Sequence, residues 1–297
     1  MKVGFVGLGN MGGVMAARIA RAGHGVAGFD IDTTRSQKAG REGVRIVQAL
    51  PEIARDCELV LSMVWDDAAL RDVAALVLPS LKGVFIDLST TSVAVIRDIA
   101  AGAPASATVL DGSVIGGGVP AARDGRSPMA FGGDKCAFER YRAVLEILGT
   151  CDHVGPLGAA KAAKIVNNHL VGVMTAVNAE VLSLGVAAGL ELPLMVELLG
   201  SGAAGSHVMR SYMGRFVAEG RYGDGLIGHK LMAKDLSLAC GLARETGSSV
   251  PCAEIAQQMY VAFGRALGSD APFPSAFDFY RGFNTQPCML MLPATNT

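Results

Sequence analysis

Residues 1–30 read MKVGFVGLGNMGGVMAARIARAGHGVAGFD, and their order decides the fold. KVGFVG is a short valine-rich apolar run, the pattern of a buried strand that stops at Gly7. From Met11 the apolar positions Val14, Met15, Ile19 and Ala22 recur at helical spacing, and His24-Gly25 ends the helix. His24 is expected to meet the terminal carbonyls of that helix. A second apolar run, VAGFD, finishes on Asp30. Gly-x-Gly-x-x-Gly alone is a weak signal in a glycine-rich chain. Between a strand and a helix, with an acid closing the next strand, it reads as a dinucleotide site. Gly7 permits the tight turn, Gly9 lets the backbone approach a pyrophosphate, and Gly12 lets helix and strand pack closely. The helix start then offers unpaired N–H groups to the phosphates. Asp30 can accept from ribose hydroxyls; its charge, with that of Asp32, favours NAD over NADP, while Arg35 opposes. NADP remains the alternative cofactor.

The alternation continues past Asp30. CELVLSMV precedes the helix WDDAALRDVAALV, capped by Asp66 or Asp67. GVFIDLS precedes TTSVAVIRDIAA, and ATVLDGSV is the next strand. SPMAFGG and CDHVG, shorter strands, flank the helix DKCAFERYRAVLEIL. Repeated strand–helix units with helices on both faces imply an α/β, doubly wound, mostly parallel sheet. After Gly158 the patterns become helical throughout, which divides the chain into a dinucleotide-binding domain, 1–158, and an all-helical substrate and oligomerisation domain, 159–297. A cleft beside a nucleotide domain is a favoured place for a small substrate. The first helix of the second domain is apolar on more than one face, which implies burial against another subunit.

With 297 residues and a net charge of −1, the chain can bury a large core and carries no basic surface for nucleic acid. Its six cysteines, Cys57, Cys136, Cys151, Cys240, Cys252 and Cys288, lack metal-ligand spacing, so buried free thiols in a reducing compartment are expected. The apolar start breaks into glycines rather than a signal peptide. The stretch LVGVMTAVNAEVLSLGVAAGL is interrupted by Asn178 and Glu180, which fits a buried helix better than a membrane span. A cytoplasmic protein is the expectation. The histidines form no ligand pattern, no metal site is expected, and no serine stands in a Gly-x-Ser-x-Gly elbow.

Three segments compete to line the cleft. DLSTTS lies at the carboxyl end of a strand, where open sheets bind ligands. Ser89 and Thr90 either touch ligand there or cap the next helix, a role that Thr91 or Ser92 can also fill. In DGSVIGGG, the glycines Gly116, Gly117 and Gly118 either offer N–H groups to an anion or form a plain turn. In KAAKIVNNHL, Lys161, Lys164 and Asn168 share a helix face, and Asn167 points elsewhere. Polar groups inside an apolar helix need partners. Lys164 is chosen for proton transfer, because an enclosed lysine loses solvation and its pKa falls towards a useful range; a solvent-facing lysine is the ordinary alternative. Asn168 would hold substrate or orient the amine. Lys234 is read as reaching the cleft and Asp235 as locking its helix, against a surface ion pair.

The motifs GFVGLGNMGGVMA, DLSTTS, DGSVIGGG, VGPLGAAKAAKIVNN and LMAKDLSLA, in that order and spacing, resemble the β-hydroxyacid dehydrogenase family, which includes 3-hydroxyisobutyrate dehydrogenase, tartronate semialdehyde reductase and the 6-phosphogluconate dehydrogenases. The resemblance covers most of the chain. It implies a Rossmann domain joined to an all-helical domain, assembled as dimers or tetramers, and an NAD(P)-dependent hydride transfer. It further implies Lys164 as catalytic acid/base, Asn168 positioning substrate, Ser89 beside the reacting carbon and Lys234 on the ligand. On this reading the cofactor meets Gly7, Gly9, Asn10, Met11, Gly12, Asp30, Met63, Val64, Thr90 and Lys234. The substrate meets Ser113, Ile115, Gly116, Gly117, Asn168 and Ile227.

The departures are specific. Family members usually read Asp-Ala-Pro-Val-Ser-Gly-Gly where this chain has DGSVIGG, so Gly112 and Ser113 replace Ala-Pro and Ile115 replaces a serine. Ile115 cannot donate a side-chain hydrogen bond to a carboxylate. Val93 stands for a proline, Ala160 for a glycine and Ile227 for an aromatic residue. These imply a small acidic substrate in an unusually apolar pocket. The competing readings are an imine reductase of the same fold, whose relatives usually carry Asp or Tyr at the position of Lys164, and a non-catalytic dinucleotide-binding protein.

Overall fold

The computed structural model describes residues 1–221 and 227–284. They fall into two compact units, Met1–Asn167 and a second from Asn168 onward. In the first unit the strands β1 (Lys2–Val6), β2 (Gly25–Phe29), β3 (Arg45–Ile46), β4 (Leu59–Ser62), β5 (Gly83–Asp87), β6 (Ala107–Val114), β7 (Ser127–Gly132) and β8 (Gly149–Gly155) form one sheet, in the order β3-β2-β1-β4-β5-β6-β7-β8. Neighbours are parallel except β6 and β7. The crossovers carry α1 (Gly12–Arg21), α2 (Thr33–Arg41), α3 (Leu50–Asp56), α4 (Asp67–Val77), α5 (Val93–Ala101), α6 (Gly118–Asp124) and α7 (Lys135–Leu145). The chain builds outward from β1 through β2 and β3, then returns to place β4 on the other side of β1. That reversal is a topological switch point, and crevices for ligands open beside it at the carboxyl ends of the strands.

Side-chain alternation explains why the strands read as unbroken apolar runs. Val3 and Phe5 of β1 join Met15, Ile19, Phe138 and Leu145 in a core on one face, while Val6 joins Ile53, Leu70 and Val73 on the other. In β5, Val84 and Ile86 face the first core and Phe85 the second. A strand covered on both sides has no polar face to show in its sequence. Asp66 caps α4 by accepting from the Ala69 N–H at 2.9 Å, and Ser92 caps α5 by accepting from Val95 at 3.1 Å. His24 meets the terminal carbonyls through its backbone rather than its ring. Backbone N–H groups of Ala22, Gly23 and His24 itself take up the last carbonyls of α1, and the ring Nδ1 is buried without a hydrogen-bond partner.

Helix α8 (Ala159–Ala187) starts in the first unit. The sequence divides the chain after Gly158, but the compact units divide at Asn167, because the first turns of α8 are bonded to the sheet: the N–H groups of Gly158 and Lys161 donate to Asp111 at 2.7 and 2.9 Å. By length and composition alone α8, with a mean hydropathy of 1.7, is long and apolar enough to cross a membrane. Its first turns are bonded to the sheet, but only 33% of its apolar stretch is buried, so the buried helix expected from the sequence is not met along most of its length.

The second unit continues with α9 (Leu192–Ser201), a π-helical segment Val208–Ala218, α10 (His229–Thr246), α11 (Pro251–Leu267) and α12 (Ala276–Asn284). The π segment stands where spacing predicts an ordinary helix, and such irregularities are not written in apolar periodicity. The Tyr260 hydroxyl donates to the Gly172 carbonyl at 3.1 Å, tying α11 to α8. His229 is buried, with Nε2 3.0 Å from the Ser275 hydroxyl, and desolvation lowers its pKa to about 4, which keeps the ring neutral. Cys57, Cys151 and Cys240 are buried as expected, whereas Cys136 and Cys252 are exposed; Cys288 lies outside the described residues. Burial pushes the Cys57 thiol up to about 11 and that of Cys151 up to about 12, so both stay protonated and inert.

Candidate active site

The glycine loop is built as its sequence demands. Gly7 has φ +89, and a Cβ there would overlap the Met63 carbonyl oxygen. A Cβ on Gly12 would overlap the Gly7 carbonyl oxygen, so only glycine lets α1 start this close to β1. Gly9 differs: a Cβ would meet only Arg35 Nη1, at 4.0 Å. The space above Gly9 is therefore an open cradle rather than packed interior. Together with the unpaired N–H groups that begin any helix, it suits a pyrophosphate.

Asp30 organises this loop. Its Oδ2 accepts from the Leu8 N–H at 2.7 Å and its Oδ1 from the Asp32 N–H at 2.8 Å. Asp32 caps α2 through the N–H groups of Thr34 and Arg35, and pairs with the Arg35 guanidinium at 3.3 Å. Arg35, the arginine nearest Gly9 among the described residues, thus has a carboxylate beside it.

At the carboxyl ends of β4, β5 and β6 lies a buried polar knot. Asp87 and Asp111 are register partners at the end of β5–β6 pairing. Asp87 Oδ1 accepts from Ser62 Oγ at 2.7 Å and Ser89 Oγ at 2.6 Å, and Oδ2 accepts from Thr91 Oγ1 at 3.3 Å. The Lys161 ammonium pairs with Asp87 Oδ2 at 2.7 Å, and neither side chain has any solvent exposure. It also donates to the carbonyls of Ser89, Asp87 and Gly112 at 2.6, 2.9 and 3.1 Å. Lys164, one turn along α8, is half-buried. Asn167 donates to the Ile115 carbonyl at 3.2 Å, just past the end of the same strand that Lys161 reaches.

The first unit therefore gathers Ser89, Thr90, Ser113, Ile115, Gly116 and Lys164 around these strand ends. Their surfaces are unequal. Ser89 is 2% exposed, and its hydroxyl accepts from the Val64 N–H at 2.8 Å while donating to Asp87. Its hydroxyl bonds to strand ends and not to a helix N–H group, so it is not a helix cap. It braces the ends of β4 and β5, and Thr90 is the half-buried member of its loop. Ser113 is 1% exposed and its hydroxyl has no hydrogen-bond partner. Ile115 and Gly116 are half-buried and Gly117 exposed; Met63, Val64 and Met11 are half-buried and Asn10 exposed.

In the second unit, the Asn168 amide donates to Asp235 Oδ2 at 2.6 Å, and Lys234 pairs with Asp235 Oδ1 at 3.1 Å. Asp235 is buried, so this is no surface ion pair. Ile227 is half-buried, and its carbonyl accepts from the Phe273 N–H at 3.0 Å. Three members of the polar knot escape a reading by motif: Asp87, Asp111 and the role of Lys161. An available signal is that each aspartate interrupts an otherwise apolar strand pattern, where a buried acid needs a partner.

Residues 2–155 match the family described as the NAD binding domain of 6-phosphogluconate dehydrogenase, and residues 158–280 match that described as NAD-binding of NADP-dependent 3-hydroxyisobutyrate dehydrogenase. The chain belongs to the NAD(P)-binding β-hydroxyacid and 6-phosphogluconate dehydrogenase-like superfamily. It is an NAD(P)-dependent oxidoreductase acting on a hydroxyacid-type substrate, which closes the non-catalytic reading. It is 32% identical to 3-hydroxyisobutyrate dehydrogenase of Pseudomonas aeruginosa, over 94% of this chain and 98% of that one. It is 30% identical to 2-(hydroxymethyl)glutarate dehydrogenase of Eubacterium barkeri, over 90% of each chain. Among solved structures, Mycobacterium tuberculosis 3-hydroxyisobutyrate dehydrogenase with L-serine superposes with a TM-score of 0.86 at 30% identity, over 94% of this chain and 99% of that one. An imine reductase from Pseudomonas sp. shares the fold alone, at 17% identity and a TM-score of 0.59 over 93% of this chain and 98% of that one.

Proposed function

We propose that the chain interconverts a short 3-hydroxycarboxylate and its semialdehyde, with Lys164 as general acid/base. The observation that supports this reading is the pinning of α8 to the end of the β5–β6 pairing through Gly158, Lys161 and Asp111, with Lys164 one turn further along the same helix. Bound NAD(P), held by Gly7, Gly9, Asn10, Met11, Gly12 and Asp30, supplies the hydride acceptor in oxidation and the donor in reduction. Lys164 takes the hydroxyl proton in oxidation and returns it in reduction. Asn168, its amide fixed by Asp235, orients the substrate; Lys234 supplies a cation to the cofactor. Ile115 and the glycines after it shape the acid-binding wall, and the isoleucine favours an apolar substituent over a polar one. On that basis 3-hydroxyisobutyrate should be preferred to L-serine and to 2-(hydroxymethyl)glutarate. Nicotinamide absorbance across these three acids and a set of cyclic imines tests the assignment; turnover of the imines alone would overturn it.

For the cofactor, Asp30 and Asp32 favour NAD. A carboxylate repels a 2′-phosphate, and Arg35, the cation that would welcome one, pairs with Asp32. The ratio of kcat/KM for NAD to that for NADP should exceed one in the wild type. It should fall about tenfold in Asp30→Ala, the equivalent of about 1.4 kcal/mol. A wild-type preference for NADP contradicts the charge argument.

The helical domain is read as the oligomerisation surface. Leu170, Val177, Val181 and Leu184 form an exposed stripe along α8, and Leu194 and Leu198 are exposed on α9. A contiguous apolar stripe of this kind marks an interaction site, and the occupant that fits is a second copy of the chain. Light scattering should give a dimer or a larger assembly; a monomeric mass at working concentration contradicts it.

A further inference from the structure

Lys161 is costly to bury. Its side chain is wholly out of solvent, and the desolvation of an ammonium is only partly recovered by a single carboxylate. Four oxygens surround Nζ: Asp87 Oδ2 at 2.7 Å and the carbonyls of Ser89, Asp87 and Gly112 at 2.6, 2.9 and 3.1 Å. Stability alone is a poor reason for such a site, because apolar side chains of similar volume often replace buried ion pairs without loss. What apolar side chains cannot do is draw backbone to a point. An ammonium has three donors, and here they converge on carbonyls from two different chain segments. The segments are the two whose pairing ends at Asp87 and Asp111. One leads into the loop bearing Ser89 and Thr90, and the other into Ser113 and Ile115. The lysine's own N–H is held by Asp111 at 2.9 Å, so backbone and side chain of one residue tie three elements together.

We propose that Lys161 is a positioning residue for the reaction: its ammonium clamps β5 and β6, where their pairing ends, against the first turn of α8 and thereby sets the substrate-bearing segments that follow relative to Lys164. This rests on the acid/base reading of Lys164. Lys161 has no solvent-facing surface through which to touch a substrate and no donor left over for proton transfer. Its part is to hold the backbone, and misplacement by about 1 Å can cost about 10²-fold in rate.

Lys161→Met keeps the length of the side chain and removes every donor. Single-turnover hydride transfer with cofactor already bound separates placement from folding: the amplitude counts competent molecules and the rate reports their geometry. The expected result is a rate about 10²-fold lower in the molecules that fold, with cofactor affinity by calorimetry near that of the wild type. A reduced amplitude at an unchanged rate would overturn the proposal and leave Lys161 a folding element only. Should Lys161→Met not fold, Lys161→Gln, which keeps two donors, is put through the same measurement. A slowed rate there supports the proposal and an unchanged rate overturns it. Lys164→Ala is measured alongside. If it turns over normally while the Lys161 variant is slow, the acid/base reading fails and the clamp's positioning of Lys164 is overturned with it; a slow Lys164→Ala beside a normal Lys161 variant overturns the clamp and leaves the acid/base reading.

Discussion

Replacing Lys164 with alanine should lower kcat by about 10²–10⁴-fold, the range for loss of a positioned acid/base group, while NAD affinity stays close to that of the wild type. The separation follows from where the groups sit. The cofactor loop is held by Asp30, whose carboxylate binds the Leu8 and Asp32 N–H groups, and by close packing of Gly7 against Met63. Lys164 stands on α8, one turn beyond Lys161. Truncating it removes the proton carrier without touching the turn that receives phosphate. Affinity can be read from Trp65, the chain's one tryptophan, which follows Met63 and Val64 and is 49% exposed. Quenching of Trp65 by added NADH should titrate alike in both proteins. A parallel loss of binding and kcat would place Lys164 in the cofactor site instead.

The second large effect is expected from Gly12→Ala. The new methyl would overlap the Gly7 carbonyl oxygen and press on the Phe5 ring, 3.0 Å away. Phe5 is fully buried in the core beneath α1, so the helix must shift outward. Overpacking of a tight site costs about 1–3 kcal/mol, and each 1.4 kcal/mol is tenfold in a dissociation constant. Tm should fall accordingly, and because the displaced helix start no longer meets the phosphates squarely, NAD binding should weaken by about tenfold or more. The contrast is Gly9→Ala. Its methyl packs against no neighbour closer than Arg35 Nη1 at 4.0 Å, so Tm should hold while cofactor binding falls. Equal losses of Tm in the two variants would mean that Gly9 is a packing glycine like Gly12 and that the cradle is misassigned.

How much of this was legible beforehand varies by element, for physical reasons. The strand–glycine–helix–strand–acid order was readable because each residue there answers to a local demand: a turn, a close approach, an alternation of faces. Caps such as Asp66 and Ser92 are equally local. The β3 strand was not readable, since its pairing spans only Ala27↔Arg45 and Gly28↔Ile46. The π-helical turn at Val208–Ala218 carries ordinary helical spacing and left no separate mark.

In the candidate site, the gathering of DLSTTS, DGSVIGGG and KAAKIVNN followed from their places at strand ends and on one helix. The burial of particular side chains did not. Lys161 and Lys164 stand on one face three residues apart, and spacing treats them alike. Only the carboxylate of Asp87 and the carbonyls of Ser89 and Gly112, distant in sequence, make one a clamp and leave the other half-buried. Ser89 is a similar case: its hydroxyl is taken up by Asp87 and Val64, partners that a motif does not reveal.

The central claim is that Lys164 carries the proton for hydride transfer from a 3-hydroxy acid. It is tested most directly by single-turnover transfer from 3-hydroxyisobutyrate deuterated at its hydroxyl-bearing carbon, comparing the wild type with Lys164→Ala at saturating NAD. The account predicts one deuterium on the reduced nicotinamide from the wild type, and transfer slowed by at least about 10²-fold in the variant. Transfer at the wild-type rate by Lys164→Ala would contradict it.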